Sequence, residues 1–173
     1  RGRIAILVCR SSITWAAIDY RERVIVEEQS GTLPAAERVW SVDDASALYN
    51  VDRWGGEYFE VSPDGKMAVT PLGTRGGKIA ILDVVEAAMR EEGLKAPLII
   101  RFQDILHHRV RVLNEAFAKA ILENKYRGQY RGVFPVKVNQ LREVCEEIVE
   151  AGRPWHYGIE VGSKPEIFAG LAV

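Results

Sequence analysis

From Pro97 onward the chain repeats one pattern three times: a short apolar run, then apolar residues at helical spacing. "PLIIRF" (97–102) is almost continuously apolar, as a strand covered on both faces must be. Leu106, Val110, Leu113, Phe117 and Ile121 then fall on one helical stripe before Gly128, with Asp104 placed to cap the helix. "GVFPVKV" (132–138) is the second run, and Leu141, Val144, Cys145, Ile148 and Val149 form a second stripe that stops at Gly152. "YGIEV" (157–161) is the third, and Ser163 with Glu166 three residues on predicts a capping box for a further helix. Strands joined by helical crossovers imply a parallel sheet. The predicted fold is therefore α/β, an incomplete (β/α)8 TIM-type barrel of which these are the first three βα units. A closed barrel takes about 250 residues, and 97–173 supplies less than a third of that. The remaining strands are expected downstream of Val173. An open doubly wound sheet is the competing reading, but neither GxGxxG nor a glycine-rich first βα turn occurs.

Before the repeat the text differs. "SPDGK" (62–66) supplies turn residues between "YFEV" and "MAVTP" and predicts a hairpin within a small β-rich element. Ile79, Leu82, Val85 and Met89 predict a helix that ends at Gly93. The organisation read from this is an unassigned extension over 1–38, a β element with its linker helix over 39–96, and the start of the barrel over 97–173. Within 1–38, "IAILV" and "RVIVEE" are possible strands, interrupted by "SGTLPAAE". "GTRGGK" (73–78) fails as a phosphate loop, because Leu72 stands where the first glycine belongs and Ile79 follows the lysine; it reads as a flexible connector.

Charge and cysteine content exclude several classes. Lys and Arg number 23 against 24 Asp and Glu, so no positive field draws the chain to nucleic acid. Cys9 and Cys145 lie far apart in no metal spacing and read as free thiols of a reducing compartment. His107 and His108 are adjacent, hence on different sides of a helix, and neither has a histidine at i+4; no metal is expected, and both read as solvated or capping. His156, beside Trp155, has no partner identifiable in the sequence. The first apolar run, "IAILVC", is about a third of the ~20 residues that a membrane span needs, and no cleavage pattern follows it. The reading is a cytosolic chain, a fragment of a longer one, with no membrane partner.

One residue breaks the second run. Alternation along a strand places Val133, Pro135 and Lys137 on one face and Phe134, Val136 and Val138 on the other. With the larger apolar set against the helices, Lys137 is aimed at the barrel interior near the strand's C-terminal end, where barrel enzymes carry their chemistry. Two readings stay open. Its stem packs and its ammonium reaches solvent, or a low-dielectric mouth depresses its pKa so that the neutral amine attacks a carbonyl.

"FPVKVNQ" resembles the Tyr-Pro-x-Lys-x-Asn segment of the pyridoxal phosphate-dependent decarboxylases with an alanine-racemase-like barrel, and among them the biosynthetic arginine decarboxylase branch. "YNVDRWGGEYFEV", "FQDILHHRVRVLNEAF" and "GIEVGSKPEI" resemble the same branch in the same order, so the similarity covers about residues 40–173. The resemblance implies that Lys137 holds pyridoxal 5'-phosphate as a Schiff base. It also implies that L-arginine is converted to agmatine and CO2 in polyamine biosynthesis, with Mg2+ as an accompanying ion, in a cytoplasmic homo-oligomer. Glu160 stands where related decarboxylases carry an acidic residue at the end of the next strand and is expected to pair with Lys137 once substrate has released it. A carboxylate salt-bridged in the barrel layer is the plainer reading of Glu160. Phe134 replaces the family's tyrosine, which removes a hydroxyl. Pro135 cannot donate to a ladder, but the family carries it too. Asn139 is expected to shape the turn after the strand through its side chain. The groups for the cofactor phosphate, the ring and the substrate guanidinium are expected beyond Val173, so that this piece alone is inactive. Diaminopimelate-type decarboxylases, racemases and a non-catalytic cofactor-carrying barrel are the alternatives; "YNVDRWGGEYFEV" favours the arginine branch.

Overall fold

The computed structural model describes residues 39–73 and 76–173 in full and the backbone of residues 4–8. The expectations for Cys9, for the other residues of the 1–38 extension and for the centre of the "GTRGGK" connector lie outside the described residues. The chain divides into two compact units, Arg1–Phe102 and Gln103–Val173.

In the first unit, strand β1 (Ile4–Val8) is followed by two short helices that the sequence reading did not anticipate, α1 (Val42–Tyr49) and α2 (Val51–Gly55). A full capping box starts α1. The Asp44 N–H donates to Ser41 Oγ (3.1 Å), and the Ser41 N–H donates to Asp44 Oδ2 (3.0 Å). Asn50, left-handed at φ 54°, ends it. The predicted hairpin is present: β2 (Phe59–Val61) and β3 (Met67–Val69) pair antiparallel around Gly65 at φ 81°, a conformation that glycine adopts without a Cβ penalty. The two-residue strand β4 (Ile79–Ala80) adds to β3, giving the order β2-β3-β4. Lys66, in the hairpin turn, reaches Asp83 at 3.0 Å, and that carboxylate holds the lysine pKa above its ordinary value.

Helix α3 (Ile81–Glu91) buries Val84 and Ala88 and leaves Leu82 and Met89 about half exposed. The predicted stripe was displaced because Ile79 belongs to β4, where it is buried. Past Gly93, at φ 65°, the Leu94 N–H returns to the Ala88 carbonyl and closes the helix end, as expected. Strand β5 (Leu98–Phe102) pairs antiparallel with β1, Ile4 opposite Phe102 and Val8 opposite Leu98. A continuous parallel set of three strands opening with β5 was expected; β5 is instead paired antiparallel, and Ile99 is 43% exposed. Apolar content foretold a strand but not its neighbour.

The second unit opens with α4 (Gln103–Glu123). Asp104 lies in its first turn rather than at its cap. Val110 of α4 packs with Val144 and Ile148 of α5 (Arg142–Gly152), and Leu106, Phe134, Leu141, Ala151 and Tyr157 close around them. Each such aliphatic side chain gains roughly 1.5–3 kcal/mol on full burial, which pins the two helices together. Farther along α4 the stripe departs from expectation. Leu113 and Phe117 are partly exposed, Phe117 stacks on Tyr130 (centroids 3.7 Å apart), and Asn114 takes the buried position, donating to the Val110 carbonyl at 2.7 Å.

Strands β6 (Val133–Pro135) and β7 (Gly158–Glu160) form a parallel pair, with Phe134 beside Ile159 and Pro135 beside Glu160. Helix α5 connects them and stops at Gly152 as predicted, where a side chain would collide with Tyr157. Helix α6 (Lys164–Leu171) starts at Ser163, whose Oγ accepts the Glu166 N–H at 3.4 Å. The reciprocal bond of the expected box is shifted by one residue, since Glu166 Oε2 accepts the Gly162 N–H (2.7 Å). Among the described residues no helix is long and apolar enough to cross a membrane.

Candidate active site

Strand β6 ends at Pro135, which has no N–H for a further ladder bond, and Val136–Val138 turn as a short 3₁₀ helix. Lys137 therefore sits in a turn just past the strand. This corrects the alternation argument: period two holds only while the ladder runs, and it stops two residues before the lysine. The location at the C-terminal end of a parallel strand is retained. Val136 is 1% exposed and anchors the turn, whereas the Lys137 side chain is 60% exposed. Phe134 packs toward Val110, Val144 and Ile148, the contact with the helices expected of it.

Two side chains clamp the turn to α5. Asn139 Oδ1 accepts the Leu141 N–H (3.1 Å), the backbone-shaping role read from the sequence. The Cys145 thiol donates to the Asn139 carbonyl at 3.4 Å. Burial, and after it the charges of Glu143 and Glu146, push the Cys145 pKa up.

Glu160 closes the opposite side. Because Pro135 and Glu160 are in register, a residue two positions past the proline comes to the end of β7. Lys137 Nζ lies 3.5 Å from Glu160 Oε2, so the structure brings together the two residues singled out in the sequence. That oxygen is itself buried and accepts no hydrogen bond among the described residues, although the side chain as a whole is 37% exposed. The pair joins an accessible primary amine to a carboxylate with unused acceptor capacity. Such a pair can hold an ammonium, take its proton, and leave the amine free to attack a carbonyl. An aldehyde cofactor fits this donor set: the amine is exposed enough to condense, and the unsatisfied oxygen faces it.

A second cluster was not found from sequence. His107 Nε2 lies 2.5 Å from Glu147 Oε2, and the Glu147 side chain is 7% exposed. Glu150 joins them, with one ligand atom from each residue lying within 4.8 Å of the others. His107 is neither merely solvated nor a cap: its partner stands forty residues later, on α5, beyond any spacing along its own helix. His156 adopts a left-handed backbone, and its N–H returns to the Arg153 carbonyl (3.2 Å), ending the turn before β7.

No family model matches the chain. Curated relatives match most of it. Over 136 residues it is 47% identical to the biosynthetic arginine decarboxylase of Nostoc sp., covering 79% of this chain and 20% of the relative. Over 141 residues it is 48% identical to arginine decarboxylase 1 of Oryza sativa subsp. japonica, covering 77% and 20%. The crystal structure of the biosynthetic arginine decarboxylase SpeA from Campylobacter jejuni matches with a TM-score of 0.62 at 32% identity, covering 72% of this chain and 20% of that one. The chain spans about a fifth of the length of the curated relatives it matches.

Proposed function

We propose, for a chain that belongs to the biosynthetic arginine decarboxylase family, that Lys137 and Glu160 are the cofactor-anchoring end of an active site. That site converts L-arginine to agmatine and CO2 in polyamine biosynthesis. The observation that supports it is the exposed amine of Lys137, at the C-terminal end of a parallel strand pair, facing the unsatisfied Glu160 oxygen at 3.5 Å. When bound, pyridoxal phosphate supplies an aldehyde for that amine and a conjugated ring that takes up the electron pair left as CO2 departs. Lys137 contributes a nucleophile that must lose its proton to react. Glu160 accepts or holds that proton at Nζ and restrains the freed ammonium. Asn139 and Cys145 keep the turn in place while the side chain moves.

On this reading β6–α5 and β7–α6 are consecutive units of a (β/α)8 barrel that opens at Pro97 and follows, in sequence, a β element over 39–96. The groups that bind the cofactor phosphate and the substrate guanidinium belong to the four-fifths of the relatives' length that this chain does not match. The 173 residues alone then do not turn arginine over. A cytosolic homo-oligomer completes the reading; the buried free thiol of Cys145 agrees with a reducing compartment.

The test uses the full-length protein. Borohydride reduction with pyridoxal phosphate, followed by peptide mapping, is expected to label Lys137; a label on another lysine overturns the anchor. Arginine, ornithine, lysine and diaminopimelate are supplied separately, and agmatine is the amine expected. Turnover of ornithine or diaminopimelate alone overturns the substrate.

A further inference from the structure

We propose that His107, Glu147 and Glu150 form a binding site for a divalent transition cation of the Zn2+ class, held between α4 and α5. It shares no residue with the Lys137–Glu160 pair and does not depend on the function proposed above.

Position makes the first argument. Glu147 and Glu150 are three residues apart on α5, a spacing that puts both carboxylates on one side of a helix. His107 comes from α4, so the donors are drawn from two elements and their separation is set by packing rather than by one flexible loop. That packing is firm beside the donors: Ile148 follows Glu147 in sequence, Val110 lies one turn after His107, and both belong to the apolar cluster joining the helices. A ligand set mounted on paired helices is pre-ordered before any ion arrives.

Burial makes the second. Glu147 is 6% exposed and lies beside the His107 ring, and buried carboxylates are paired or coordinate metals.

Donor chemistry selects the ion. One imidazole nitrogen and two carboxylate oxygens make a mixed N/O set of the kind that Zn2+ accepts, with a fourth position left for water. Mg2+ prefers oxygen-only, octahedral surroundings and is a poor match. Bonds of about 2.0–2.2 Å to each donor place tetrahedral ligands roughly 3.3 Å apart. The observed spacings, from 2.5 Å for His107 to Glu147 up to the 4.8 Å envelope, bracket that value. Binding requires the close pair to open slightly and the exposed Glu150 to swing inward.

The full chain, stripped with a chelator, is titrated with Zn2+ by calorimetry and with Co2+ by visible absorption. One equivalent of Zn2+ is expected to bind and to resist about a hundredfold excess of Mg2+. His107→Ala and Glu150→Gln change exposed or half-exposed positions, and circular dichroism confirms that each variant is folded. Each is expected to weaken Zn2+ binding by about tenfold or more and to abolish the tetrahedral Co2+ band. Absence of Zn2+ binding by the unaltered chain overturns the proposal, and so does unchanged affinity in either variant, which would place the ion on other donors.

Discussion

Two carboxylates of the second unit, Glu160 and Glu147, each face a basic side chain from another element, and the two pairs are built in opposite ways. Glu160 meets Lys137 at 3.5 Å where a strand end and a turn meet the surface, with side chains 37% and 60% exposed. Glu147 meets His107 at 2.5 Å between two packed helices and is itself 7% exposed. Exposed ion pairs contribute about 0–1 kcal/mol, because solvent screens the attraction and long side chains lose freedom. A buried carboxylate deprived of its partner costs several times more. A carboxylate is therefore loosely held in one place and tied to the packing of two helices in the other, and burial makes the difference.

The sharpest test of this contrast is Lys137→Ala in the full-length protein. It is expected to remove all borohydride-trapped cofactor and all turnover while circular dichroism stays unchanged; retained colour and activity break the comparison at its open end. Glu160→Gln comes next. It is expected to lower kcat about 100- to 10,000-fold, in the range for loss of a proton-handling group, while the cofactor stays attached to Lys137. Its unfolding free energy should change by less than about 1 kcal/mol; a larger loss makes the pair structural.

At the buried pair, His107→Ala is expected to destabilise the chain by about 1–3 kcal/mol in urea unfolding, without affecting labelling of Lys137. No loss there means that Glu147 is compensated by another group. The smallest effect concerns Cys145, which links the Lys137 turn to α5. Its raised pKa keeps the thiol protonated in the folded chain after the unfolded chain begins to ionise. Its contribution is thus full below the ordinary thiol pKa and is lost as pH rises through the raised folded value. Urea midpoints of the unaltered chain should fall across this alkaline window by more than those of Cys145→Ala.

Features encoded within a few residues were legible in the sequence. The "SPDGK" turn, the Val144–Ile148 face of α5 with its end at Gly152, and the side-chain bond of Asn139 all depend on near neighbours. Helix α1 was missed although "SVDD" at 41–44 carries a legible cap signal. Lys137 lies off the strand face that alternation predicts, because Pro135, lacking an N–H, marks the strand's end. The partnership of β5 with β1 and that of His107 with Glu147 join residues far apart in the chain. Neither periodicity nor capping chemistry carries such information, because only packing decides which surfaces meet.

Val136, sealed from solvent beside the half-open lysine, gives the turn a fixed fulcrum. The amine thus travels as the free end of a four-carbon lever, and its excursions are rotamer changes completed in picoseconds to nanoseconds. Turning the amine away from Glu160 needs rotation about side-chain bonds alone, so the turn can stay where Val136 holds it.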